Sequence, residues 1–337
     1  MSELEENLIY RHRFNTQELV DTYPPKLWHQ HKKRVYAIAS PPGASHEGQI
    51  VCSRWKIFAL PSSFARGDRQ TEIIEKTGYF DYLPMAAMNN EMEWYPNFAH
   101  SDLFAFYDGP LFAQDEMQAA EHPALASLRE ALLAQNISPF TVEAGEPTPI
   151  LIRGVERRCA IATNPNSEQG RPFGLYGNNF AGATPEAIEL ATTAIDPPTI
   201  TNIIAMEAPP GGYGTYSRGE IEYILVTAFT AFSAAKYESS LALNHEVKIA
   251  IHTGFWGCGA YGGNRVLMTI LQLLAAHFAG VDRLVFHTGS STSDRDFATA
   301  CEICDRDLLP PNSTIEIPEL IDRIHAMGFL WGVSDGN

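Results

Sequence analysis

The sequence predicts an α/β fold, a central sheet with helices on both faces, preceded by an N-terminal part rich in strands. Three observations carry that expectation. Short runs rich in Val and Ile, such as TITNIIAME, VKIAI and RLVFHT, alternate with longer runs of helical periodicity at 220–235 and 265–279. Glycine-rich loops, APPGGYGTYSRG and HTGFWGCGAYGGN, stand between strand and helix. Composition, 45% hydrophobic and 19% charged over 337 residues, is that of a globule able to bury one large core or two modest ones.

Taken in order, VYAIAS (35–40) and QIVCSRWKIFALPSS (49–63) read as strands split by the turn PPGASHEGQ. A short helix is expected over 71–76. EWYPNFAHSDLFAFY reads as strand and loop, closed by Asp108-Gly109-Pro110. Residues 116–135 have helical spacing of Met117, Ala120, Leu125, Leu128, Leu132 and Leu133, broken or kinked at Pro123. TPILIRG and RRCAIAT are expected to be two strands, followed by the long loop 164–182. Thr184-Pro185-Glu186 supplies an N-cap, a first-turn proline and a first-turn acid for a helix to about 193. Strand 199–207, helix 220–235, strand 247–251, helix 265–279, strand 283–288 and a last helix over 317–327 complete the chain. The division expected is an extension over 1–85 and a main domain over 86–337.

The acidic start MSELEENLIY lacks the basic flank and apolar core of a secretory signal. The longest apolar stretches, 223–235 and 266–279, are too short and too interrupted to span a bilayer. Five scattered cysteines, Cys52, Cys159, Cys258, Cys301 and Cys304, suit a reducing compartment, so a cytoplasmic protein is expected. A formal net charge of −16 argues against nucleic acid and anionic membrane as partners. The basic clusters 11–13, 32–34 and 153–158 read as solvated faces or strand flanks. An anionic ligand would then need a local nest of backbone donors.

The stretch 252–267 offers such a nest. In an open α/β sheet, ligands bind beyond the carboxyl ends of the strands, where glycine-rich backbone and a following helix N-terminus attract phosphate. Gly257, Gly259, Gly262 and Gly263 equally suit a plain tight turn, and glycine density alone leaves the two readings even. The pattern is neither GxGxxG nor a Walker loop. TGFWGCGAYGGNRVLMTILQLLAAHFAGVDRLVFHTG, however, resembles the pyrophosphate loop, helix and strand of the poly(ADP-ribose) glycohydrolases, whose loop reads approximately TGNWGCGAFGGD. A second motif stands upstream: Gln114-Asp115-Glu116 lies sixteen positions after Phe98, where that family has Gln-Glu-Glu, and Pro123 falls on its helix proline. The resemblance covers about 95–288, patchily between the motifs.

The resemblance implies a macrodomain-like mixed central sheet and cleavage of a ribose glycosidic bond in an ADP-ribosyl compound. Glu116 would protonate the departing oxygen, and Asp115 and Gln114 would hold the ribose. Thr253, Gly254, Phe255, Trp256, Gly257, Cys258, Gly259, Ala260, Tyr261, Phe286 and His100 would line the substrate site, with no metal or other cofactor required. By themselves, adjacent carboxylates at a helix start read as capping and dipole complementation. Being about 100° apart on a helix, they would split roles and could not flank one bond.

Four departures mark this chain. The family's three glycines fall on Phe104-Ala105-Phe106, unless Asp108-Gly109-Pro110 does the turning. His100 replaces an asparagine, Phe255 replaces another, and Asp115 replaces a glutamate. With the negative charge, these favour a smaller or differently linked ADP-ribose compound over long polymer. A binding module for ADP-ribose without turnover is the alternative. Cys301 and Cys304 read as two cysteines on one side of a helix, His29 and His31 as surface, and Cys258 as packing. Phe173 and Tyr176 join Tyr261 and Phe286 as residues that could stack on adenine or pack the ribose.

Overall fold

The structure, a computed structural model, describes residues 6–67, 71–83, 91–243, 247–289 and 294–336. The expected boundary at 85/86 lies outside the described residues.

One eight-stranded mixed sheet organises the chain, in the order β1-β2-β8-β9-β5-β10-β11-β4. Its strands are β1 (Leu8–Asn15), β2 (Gln49–Trp55), β4 (Glu72–Lys76), β5 (Glu91–Phe98), β8 (Ile150–Ile161), β9 (Thr192–Met206), β10 (Lys248–Thr253) and β11 (Arg283–His287). β1, β2, β8 and β9 pair antiparallel; from β9 through β5, β10 and β11 to β4 every pair is parallel. Two small ribbons lie outside it, β3 (Ser63–Ala65) with β12 (Thr314–Glu316), and β6 (Val142–Glu143) with β7 (Glu146–Pro147).

Alternation along the strands sends neighbouring side chains to opposite layers. Ile150, Ile152, Ile203 and Ala205 join one core; Leu151, Ile204 and Met206 join the other. The first layer carries α1 (Thr16–Thr22), α2 (Gln30–Ala39), α3 (Gln114–Glu121), α4 (Ala124–Ala134), the short turn α5 (Asn179–Gly182) and α6 (Pro185–Ala191). The second carries α7 (Arg218–Leu243), α8 (Arg265–Ala279), α9 (Asp294–Ile303) and α10 (Ile317–Ala326). Thr184 caps α6 through Ala187 N–H, and Asn264 caps α8 through Leu267 N–H. No helix among the described residues is long and apolar enough to cross a membrane.

Several expectations are corrected. VYAIAS is the second half of α2 and not a strand: the buried positions Lys32, Val35, Tyr36 and Ala39 fall at i, i+3, i+4 and i+7, a helical stripe hidden within a continuous apolar run. The helix expected over 71–76 is strand β4, because Ile73 and Ile74 complete the parallel pairing beside β11. TPILIRG and RRCAIAT form the single strand β8. Its register shifts between Ile152 and Val155, where Gly154 adopts φ +83° and a Cβ would lie 2.5 Å from Gln49 O. α1 carried no expectation; of the two cysteines expected on one helix, Cys301 lies in α9 and Cys304 just beyond its end.

The basic clusters, expected as solvated faces or strand flanks, are so only in part: Arg13 and Lys33 are exposed, but each cluster also turns a residue inward. Lys32 is fully buried, and Arg157 is buried against Glu121. Arg11 grips the buried Glu238 with two hydrogen bonds. His31 is likewise buried, its ring 5.6 Å from that of Phe180.

Candidate functional site

The parallel strands β9, β5, β10 and β11 end side by side at Met206, Phe98, Thr253 and His287, and the loops after them gather at the carboxyl ends of the strands, where open α/β sheets bind ligands. The glycine-rich loop springs from β10 and is anchored from beneath. Thr253 Oγ1 donates to Gln272 Oε1 at 2.5 Å, Gln272 Nε2 donates to Gly254 O, and Trp256 Nε1 donates to Met206 O. Thr253 and Trp256 are wholly buried, so they support the loop from behind. Within it, Cys258 N–H bonds Phe255 O and Gly263 N–H bonds Gly257 O. Gly257 has φ +72°, and a Cβ there would come within 2.5 Å of the Ala208 methyl; only glycine fits. The N–H groups of Gly259, Ala260 and Tyr261 donate to no backbone carbonyl among the described residues. That is the nest arrangement an anion needs.

The acid pair opens α3 beside this loop. Gln114 uses its whole amide to hold the helix to β5: Oε1 accepts from Phe98 N–H at 2.7 Å and Nε2 donates to Pro96 O. The amide thus positions the helix start. Asp115 and Glu116 are both buried. Asp115 Oδ1 accepts from Asn97 Nδ2, which also donates to Gln118, and Glu116 Oε2 accepts from Ala113 N–H at 2.9 Å. Burial raises both carboxyls above the ordinary range, and the charge of Glu116 raises Asp115 further. Against this act Asn97, Lys32 and the His100 amide at Asp115, and Lys32, local amides and the His100 ring at Glu116. The two titrate as a pair that readily retains a proton.

Lys32 was missed in the sequence. Its ammonium donates to Tyr107 O at 3.1 Å and lies over the rings of Phe112 and Phe180, at 5.1 and 5.8 Å from their centroids. One turn further along α2, Tyr36 donates its hydroxyl to Ala119 O, which lays α2 beside α3 and brings Lys32 to the acid pair. Burial pushes the lysine down to about 8, even though Glu116, Asp115 and Asp108 all favour its charge. The helical stripe 32, 35, 36, 39 was the signal that could have found it.

The departures are built into the loop after β5. Phe104 stands at φ +54°, the left-handed region that favours glycine, with its side chain fully buried. Successive turns, Ala105 N to Asp102 O, Tyr107 N to Phe104 O and Gly109 N to Phe106 O, carry the chain to Asp108-Gly109-Pro110. The loop therefore still bends where the resemblance places glycines. His100 sits at its start, taking Asp102 N–H on Nδ1, its ring 5.2 Å from the half-exposed Phe106. Glu207, at the end of β9, also went unread. It is buried, which raises its carboxyl, and it accepts from Tyr261 hydroxyl at 3.2 Å.

Phe255 packs edge-on to Phe286 at 5.1 Å, with the Arg265 guanidinium 5.1 Å from its ring centroid. Phe286 is itself buried and stacked on Phe297, so the structure places it in the core. The Cys258 thiol is pushed up by burial and points at Trp256 O, in keeping with a packing role. Phe173 is largely exposed, and the Tyr176 hydroxyl lies 3.5 Å from where a Cβ on Gly259 would be.

The C-terminal segment lies on the glycine-rich loop. Trp331 stacks on Tyr216 with centroids 4.1 Å apart, Gly332 N–H bonds Gly262 O, Asp335 N–H bonds Gly259 O, and Asn264 Nδ2 donates to Leu330 O. Asp335 Oδ2 comes 3.0 Å from the Cβ position of Gly259, so a carboxylate already rests against the nest.

Among solved structures, this chain is similar to poly(ADP-ribose) glycohydrolase from Thermomonospora curvata, at 16% identity over 86% of this chain and 85% of that one, TM-score 0.40. The same protein bound to the inhibitor ADP-HPD matches at 18% identity over 68% and 78%, TM-score 0.45. The Deinococcus radiodurans poly(ADP-ribose) glycohydrolase in complex with ADP-ribose matches at 12% identity over 90% and 97%, TM-score 0.39. Residues 175–296, which hold β9, β10, the glycine-rich loop, α8 and β11, match the family model described as poly(ADP-ribose) glycohydrolase (PARG), macro domain fold. Through that stretch the chain is similar to the poly(ADP-ribose) glycohydrolase catalytic domain and shares its macro domain fold.

Proposed function

We propose that this protein is a glycohydrolase that cleaves the ribose glycosidic bond of an ADP-ribosyl compound, with Glu116 as general acid. One observation carries the proposal: two buried carboxyls with raised proton affinity open a helix close to Tyr261 of a loop whose Gly259, Ala260 and Tyr261 N–H groups donate to no backbone carbonyl among the described residues. The nest takes the pyrophosphate. The ribose beyond it reaches Asp115 and Glu116. A protonated Glu116 donates to the departing oxygen as the bond breaks toward an oxocarbenium-like centre, and the ionised Glu116 then takes a proton from the attacking water. Asp115 stays beside the ribose and stabilises the positive charge. Gln114, committed to Phe98 and Pro96, fixes where the helix starts.

Calorimetry with ADP-ribose and release assays on ADP-ribosylated protein and on polymer test this, with wild type and Glu116→Gln side by side. The expected outcome is binding by both and release by wild type only, the variant losing at least a hundredfold in rate. Binding by both with release by neither supports the second reading, a module that holds ADP-ribose without turnover. The observation favouring that reading is Phe104, whose buried ring fills the loop where close backbone approach to ribose was expected.

A further inference from the structure

A second constellation of reactive groups lies at the far end of α2, away from the acid pair. Ser40, the residue that ends the helix, places Oγ 3.1 Å from His46 Nε2, and His46 Nδ1 lies 2.8 Å from Glu156 Oε2. The tautomer follows from the partners. A carboxylate only accepts, so Nδ1 carries the proton, and Nε2 is left to accept from the serine hydroxyl. Glu156 comes from β8, more than a hundred residues away in sequence, and is held on every side: its Oε1 accepts from Glu47 N–H, its Oε2 from Arg158 Nη1. Burial opposes its charge, yet the bonds from His46, the Glu47 amide and Arg158 keep it below the ordinary carboxylate range. Arg158 Nη1 also approaches His46 Nδ1 at 3.3 Å.

Ser40 and His46 line one cavity of about 360 Å³, whose other walls include Val20, Leu27, Tyr36, Pro42 and Pro123. That volume accepts a small organic molecule, and its walls are mostly apolar, with Lys33 and Ser127 among them. Directly after Ser40 comes the turn Pro41–Ala44, closed by Ala44 N–H on Pro41 O; among the described residues the N–H groups of Gly43 and Ser45 have no partner. Eight residues of helix, about 12 Å, separate Ser40 from Lys32 at the acid pair. The two sites are distinct.

We propose that Ser40, His46 and Glu156 form a serine esterase site, acting on a small carboxylic ester with an apolar acyl chain. Ser40 Oγ bonds to the acyl carbon while its proton passes to His46 Nε2. The ester C–O bond breaks, and the alcohol leaves with that proton. Water, deprotonated by His46, then attacks the acyl carbon; the acyl–Oγ bond breaks and Ser40 recovers its proton. Glu156 is a positioning residue that fixes the tautomer and stabilises the imidazolium.

The test is a fluorophosphonate probe followed by mass-spectrometric mapping, with p-nitrophenyl butyrate hydrolysis alongside. Wild type should label at Ser40 and hydrolyse the ester, Ser40→Ala should lose both, and Glu156→Gln should label at least tenfold more slowly with an altered pH profile. The mapping in wild type needs no variant to fold. An unlabelled Ser40, or ester hydrolysis undiminished in a folded Ser40→Ala, would overturn the proposal. None of these readouts involves ADP-ribose, so they stand or fall apart from the acid pair.

Discussion

At the scale of single residues the acid pair is a problem of charge balance. Asp115, Glu116 and Lys32 are all buried, and an isolated charge in such a place is unstable without a partner. Lys32→Met removes the cation. The carboxyl pair should then ionise at a higher pH, visible by carbon NMR titration of the side chains. The stability consequence has a definite sign. Carboxyls raised by burial make the folded state hold more protons than the unfolded one, so stability falls as pH climbs from about 4 through the folded-state titration. In the variant that fall should extend to higher pH, as urea denaturation across that range would record. The wild-type lysine adds the opposite slope: held near 8 against an ordinary 10.5, it makes stability rise with pH between those values. Identical pair titration in Lys32→Met and wild type would remove Lys32 from the site.

At the scale of elements, the glycine-rich loop is gripped from two sides. Gln272 and Trp256 hold it from the sheet, and the segment 330–336 lies along its outer face. Asp335 brings a carboxylate to Gly259, where an anionic ligand is proposed to bind, so segment and ligand should compete. Truncation after Gly332 keeps the Trp331–Tyr216 stack and the Gly332–Gly262 bond while removing Asp335. The expected outcome is tighter ADP-ribose binding by calorimetry, severalfold and more marked at low salt, since part of the gain is removed like-charge repulsion. Equal affinity with and without the segment would show that it does not cover the binding surface. Helix α2 teaches a related point. Its apolar residues form a short continuous run, which a buried strand would share, and only burial against α3 and β8 selects the helical stripe.

At the scale of the molecule, the first eighty-five residues supply β1 and β2 at one edge of the central sheet and β4 at the other. Glu238 on α7 ties that region to the rest. It is fully buried and held by Arg11 of β1 at 2.7 and 2.9 Å, with Arg153 of β8 at 3.7 Å. Removing one partner of a buried ion pair strands the other, so Glu238→Ala should lower unfolding free energy by about 3–5 kcal/mol in chemical denaturation. A loss under about 1 kcal/mol would mean water relieves the arginines.

The sequence alone determined the alternation of β and α from 199 to 288, because those runs are long and strongly periodic. It also determined the loop 252–263 and the placing of Gln114-Asp115-Glu116, which begins sixteen residues after Phe98, because those features are local strings. What it left undecided depends on distant partners. Lys32 reaches the acid pair, and Glu156 reaches His46 and Ser40, only through the packing of α2 between α3 and β8. Strand β4 exists because β11 offers it an edge, and Phe104 holds a glycine's backbone angle because its ring is buried around it. Burial decided these cases: it turns a residue's neighbours in space, rather than in sequence, into the source of its conformation and charge.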